Sequence, residues 1–122
     1  MIVDLPAART ARVHRADVPC PRFHCDVWQE DGALALAPCG DLDIAALPVL
    51  AGPLCLVCPP VLRVHLDLSA TGFMDSSGLN FLTRLQNRCA LAGARLEVTG
   101  LRPQHRQLLD LTGYRLFVPA GL

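Results

Sequence analysis

Between residues 63 and 93 the apolar positions change period once, and that change constrains the fold more than any other feature of the chain. Val64, Leu66 and Leu68 alternate with Arg63, His65 and Asp67, as in a strand with one face in a core. Leu79, Leu82, Leu85 and Cys89 then fall on one stripe of a helix that Gly93 stops. A further alternating stretch, residues 95–99, puts Leu96 and Val98 on one side. A strand, a helix and a strand in succession predict parallel neighbours in a sheet with a helix packed on it.

The rest of the chain extends this unit. Phe23, Cys25 and Val27 alternate with His24, Asp26 and Trp28, Asp31-Gly32 supplies a hairpin turn, and residues 33–38 read as the returning strand. Gly40-Asp41-Leu42-Asp43 reads as a loop leading to a helix that starts near Ala45, with Asp43 as its cap and Pro48 in its first turn. Gly52-Pro53 is expected to kink or divide that helix, and Pro59-Pro60 to end it. Residues 70–75 read as a loop, Pro103 opens a last helix that carries Leu108, Leu109 and Leu111 before Gly113, and residues 114–118 read as a final strand. The expectation is an α/β layer fold on a small mixed sheet.

With 122 residues, 52% of them hydrophobic and 18% charged, the chain suits one folded domain, expected at residues 22–122 behind a flexible amino-terminal arm, residues 1–21. Eleven basic and eleven acidic residues leave no net field to attract nucleic acid or an anionic membrane. The arm has no apolar stretch long enough for a secretory signal, so a cytoplasmic location is expected. Residues 44–62 are uncharged over nearly a membrane-spanning length, yet Pro48, Pro53, Pro59 and Pro60 would break the backbone ladder such a span needs. Six cysteines in that setting read as reduced thiols, and the Cys55/Cys58 pair runs into two prolines with no second ligand pair for a metal. His14, His24, His65 and His105 are scattered, with no nucleophile and base at catalytic spacing and no phosphate-binding loop. No enzymatic activity, cofactor or metal is expected.

The informative segment is Phe73-Met74-Asp75-Ser76-Ser77-Gly78-Leu79, between a buried strand and an amphipathic helix. Asp75, Ser76 and Ser77 are all good capping types, and capping alone accounts for them. A phosphate on a serine there would add nearly two negative charges, partly stabilised by the helix amino terminus. The module would stay folded, while a partner docking near Asp41, Asp43 and Asp75 would meet a much more negative surface.

This run, together with Asp67-Leu68-Ser69, with Gly40-Asp41-Leu42-Asp43 and Pro48, and with Gly93-Ala94-Arg95-Leu96, resembles the signature of the STAS-domain anti-sigma factor antagonists of bacteria over residues 22–118. The resemblance implies a small mixed sheet of four to five strands, opened by an antiparallel hairpin, with helices mainly on one side. It also implies a transcription-regulating partner switch. The unmodified module binds an anti-sigma factor that is a serine kinase, the sigma factor is freed, and phosphorylation of Ser76 ends the complex until a phosphatase restores it. By the same resemblance Asp41, Asp43, Asp75, Ser76, Ser77 and Gly78 are expected to form the partner-binding surface, with Gly78 letting a backbone approach closely. The family's first helix is usually charged outside, whereas residues 44–62 here are not, and that apolar surface could serve a homodimer or a partner. It also suits an alternative, a STAS subunit of a lipid-transport ATPase complex in which no serine is modified.

Overall fold

The structure, a computed structural model, describes residues 22–113. The hairpin pairs β1 (His24–Glu30) with β2 (Ala33–Leu42) in antiparallel register, so that Val27 faces Leu36 and Trp28 faces Ala35. Its turn uses positive φ at both Asp31 and Gly32, the backbone that an Asp-Gly pair tolerates best. One turn of 3₁₀ helix, Ile44–Ala46, leads into α1 (Leu47–Cys55). There follow β3 (Arg63–Asp67), β4 (Thr71–Met74), α2 (Ser76–Ala92), β5 (Arg95–Thr99) and α3 (Pro103–Thr112). The sheet runs β1-β2-β3-β5, with β4 paired to β2; every pairing after the hairpin is parallel.

Register decides what is buried. Leu34, Leu36, Val64, Leu66, Leu96 and Val98 share one face and pack against Leu50 and Leu54 of α1 and Phe81, Leu82, Leu85 and Cys89 of α2. α3 adds Leu108 and Leu109 at the margin of the same core. Burial pushes the Cys89 thiol up to about 11, so it is a protonated core side chain at neutral pH. The mixed sheet, the opening hairpin and the helices on its core face agree with the expected architecture.

Four details differ from the reading of the sequence. The stretch taken as a loop at Gly40–Leu42 is the far end of β2, where the register shifts and Gly40, at φ +117, keeps the strand going. Residues 71–74, also read as loop, form β4, because Leu42 and Gly40 offer them a parallel partner. α1 is continuous through Pro53, which sits in its second turn, and ends at Cys55 before reaching Pro59. Finally, Cys39 is disulfide-bonded while Cys25, Cys55, Cys58 and Cys89 are free, so the thiols are not all reduced. The strand expected at residues 114–118 and the arm at residues 1–21 lie outside the described residues. No helix among the described residues is long and apolar enough to cross a membrane.

Candidate functional site

Two strand ends and two helix starts meet at the candidate site. β2 and β4 run parallel, and each hands the chain to a helical segment through an aspartate. Asp43 Oδ1 accepts from the Ala45 amide at 3.1 Å, and Asp75 Oδ1 accepts from the Ser77 amide at 2.8 Å. Both residues have extended backbone, as a residue that caps by its side chain requires. The Asp75 carbonyl also receives the Gly78 and Leu79 amides, and the Asp75 amide donates to the Leu42 carbonyl at 3.3 Å, which ties the two junctions together.

Ser76 occupies the first position of α2 and is exposed, whereas Ser77 is half-buried and Gly78 is buried. A Cβ at Gly78 would meet Met74 Cγ and come within 3.1 Å of both the Leu42 Cβ and its carbonyl oxygen. Gly78 therefore permits a close approach within the chain, α2 against β2 and β4. Asp41 is exposed; its Oδ1 accepts from the Phe73 amide at 2.9 Å, linking the end of β2 to β4. Thr71, fully buried, donates its hydroxyl to the Pro38 carbonyl at 3.1 Å and locks the same two strands from the other end. The carboxylates of Asp41, Asp43 and Asp75 are thus each held by a backbone amide. Two large apolar side chains stand beside them in sequence and open to solvent, Ile44 at 74% and Phe73 at 55%.

Residues of α3 that the sequence reading passed over support this arrangement. Gln104 brackets Met74, donating Nε2–H to its carbonyl at 2.7 Å and accepting from its amide at 2.9 Å, as a neighbouring strand would. His105 is completely buried; its Nδ1 accepts from the Arg102 amide at 3.1 Å, and its Nε2 lies 2.6 Å from the Gly72 carbonyl. A carbonyl can only accept, so Nε2 carries the proton and Nδ1 the lone pair, which fixes the neutral ring. Arg102 Nη2 also donates to the Ser69 carbonyl at 3.0 Å. A lone histidine and glutamine give no periodic signal, and only the position of α3 beside β4 reveals their work. His65, on the polar face of β3, lies 2.8 Å from Thr99 Oγ1.

The grooves beside α1 run along its carboxyl-terminal half and the far half of α2, past Cys55, Cys58, Arg84 and Arg88, and away from Ser76. No group of three metal-ligating side chains occurs among the described residues.

Solved structures repeat this fold. An anti-sigma factor antagonist from Mycobacterium paratuberculosis superposes with a TM-score of 0.66 at 24% identity, over 79% of this chain and 83% of that one. The Bacillus cell fate determinant SpoIIAA in its phosphorylated form gives 0.60 at 17% identity, over 76% and 85%. A sulfate transporter family protein from Wolinella succinogenes gives 0.60 at 18%, over 71% of each. A search of curated proteins finds no match. The family described as "Mlab, STAS domain" matches residues 25–118, most of the chain and all of the site. The protein is a member of the STAS domain family.

Proposed function

We propose that this STAS domain is an anti-sigma factor antagonist of the cytoplasm, which binds a serine-kinase anti-sigma factor, frees the sigma factor, and is switched off by phosphorylation of Ser76. The observation that carries the reading is the exposed Ser76 at the first position of α2, directly after Asp75, whose carboxylate is already committed to the Ser77 amide. With the Ser77 amide already taken by Asp75, a phosphate on the exposed Ser76 turns its charge outward. The unmodified surface offers Ile44 and Phe73 for apolar contact, and the modified one sets two further negative charges beside them. The switch asks no catalysis of the module itself: the kinase supplies ATP chemistry, a phosphatase reverses it, and neither nucleic acid nor cofactor enters. On this reading residues 22–122 are the working domain, and Asp41, Asp43, Asp75, Ser76 and Ser77 frame the partner surface.

A second reading, a STAS subunit of a transport ATPase that is never phosphorylated, draws on the likeness to a sulfate transporter family protein and on the uncharged α1. One experiment separates them. The tagged protein is purified from its own cells, and mass spectrometry identifies the partner and locates phosphate. A serine-kinase anti-sigma factor with phosphate on Ser76 supports the switch; a transport ATPase with unmodified Ser76 replaces it with the second reading.

A further inference from the structure

α1 and α2 pack against each other, and between them they carry only two charges, both positive. Residues 44–62 have none, and residues 76–94 have Arg84 and Arg88, about one helical turn apart on one face. No acidic residue stands three or four positions from either, so neither can pair along its own helix. Neither forms an ion pair with any other described residue. Arg88 is half-buried, and its Nε–H is shut away from solvent with no hydrogen-bond partner. A guanidinium N–H so placed favours an acceptor brought in from outside the fold.

The same two arginines border the grooves that hold the Cys55/Cys58 pair. The larger groove, about 400 Å³, lies between Leu54 and Cys55 of α1 and Arg84 and Arg88 of α2. The smaller, about 220 Å³, lies between Val57 and Cys58, past the end of α1, and Arg88 and Leu91 of α2. Both cysteines are free and exposed. Of the two, Cys55 shares its groove with both cations. When a thiolate attacks a disulfide, one negative charge is spread over the sulfurs that exchange. Guanidinium groups beside that path stabilise the charge and gather reagents that carry carboxylates.

We propose that Cys55 is a modification site for small anionic disulfides, the class to which oxidised glutathione belongs, with Arg84 and Arg88 holding the carboxylates of the incoming reagent. The Cys55 thiol gives its proton to solvent, and its sulfur attacks one sulfur of the reagent. The reagent's S–S bond breaks, a mixed disulfide forms on Cys55, and the departing thiolate takes a proton from solvent. Cys55 is oxidised and the released half of the reagent is reduced, so no further oxidant is required. The adduct brings its carboxylates into the groove that Arg88 borders, and with them an acceptor for the unpartnered Nε–H.

The test compares two reagents on the full chain carrying Cys58→Ser, which keeps the neighbouring thiol from displacing the adduct. Ellman's reagent is anionic and dithiodipyridine is neutral. Reactions are stopped in acid at successive times, and pepsin digestion with mass spectrometry gives the rate of adduct formation at Cys55. Changing both Arg84 and Arg88 to Gln should slow Ellman's reagent at least about five-fold and leave dithiodipyridine within about a factor of two. With both arginines in place, raising salt from about 0.01 M to about 1 M should likewise slow only the anionic reagent. That second reading stands even where the double variant fails to fold. Equal slowing of the two reagents, or a rate with Ellman's reagent that ignores both the substitutions and the salt, overturns the assignment.

Discussion

The chain turns from strand into helix twice at neighbouring places, and the two turns share a chemistry while differing in everything built on it. Asp43-Ile44-Ala45 and Asp75-Ser76-Ser77 each place an aspartate with extended backbone so that Oδ1 accepts from the amide two residues on. After Asp43 come three residues of 3₁₀ helix and the uncharged α1, with prolines at 48 and 53. After Asp75 comes a seventeen-residue amphipathic helix closed by Gly93 in the left-handed conformation. The first exposed residue is Ile44 at one junction and Ser76 at the other. The same cap therefore presents an exposed apolar side chain at the first junction and an exposed hydroxyl at the second. Identical local geometry makes the difference between them a difference of side-chain chemistry.

The largest expected effect strikes the second junction alone. Ser76→Asp should weaken binding to the serine-kinase partner roughly 100-fold, while Ser76→Ala binds as the wild type does and is not released on addition of ATP. Isothermal titration of the purified pair measures both. Equal affinity of the two variants would remove Ser76 from the interface and leave the two junctions functionally alike.

Next in size is Gly78→Ala, expected to lower unfolding stability by about 2 kcal/mol, because the new methyl meets Met74 and the Leu42 carbonyl in a packed corner. Chemical denaturation monitored by circular dichroism reads it. An unaltered midpoint would mean that α2 can retreat from β2, and that its junction is no more rigid than that of α1. A smaller effect separates the caps themselves. Asp75→Ala should cost about 1 kcal/mol and Asp43→Ala less, since Asp75 holds a long helix against the core and Asp43 a single turn. Reversal of that order would make the first junction the structural anchor.

What could be read in the sequence follows the same division. Around the second junction the period change, the capping triplet and the stop at Gly93 are all local, and α2 begins and ends where they say. The place of Ser76 at the start of α2 was legible for the same reason. Around the first junction the signals conflict: Gly52-Pro53 argues for a break that tertiary packing of Leu50 and Leu54 overrides, and Gly40 disguises a strand as a loop. β4 escaped because a four-residue strand has too few positions to show a period and exists only beside β2. The bracket from Gln104 and the buried His105 depend on contacts thirty residues away in sequence and leave no local trace.

The smallest predicted effect bears most directly on how the switch works. A negative charge at the first position of a helix is favoured by the helix dipole, by a few tenths of a kcal/mol to about 1 kcal/mol at the surface. At Ser76 the carboxylate of the preceding residue, Asp75, opposes that gain. The sum for Ser76→Asp should therefore lie within about 0.5 kcal/mol of zero, measured as a shift in the urea midpoint without change of slope. The same substitution at Ile44, which has only a short 3₁₀ turn behind it and Asp43 before it, should be no more favourable. A stability loss above about 1 kcal/mol for Ser76→Asp would mean that modification acts by loosening the start of α2. A near-zero value combined with the large loss of binding puts the effect in the partner interface, because the fold then has the same free energy with and without the charge.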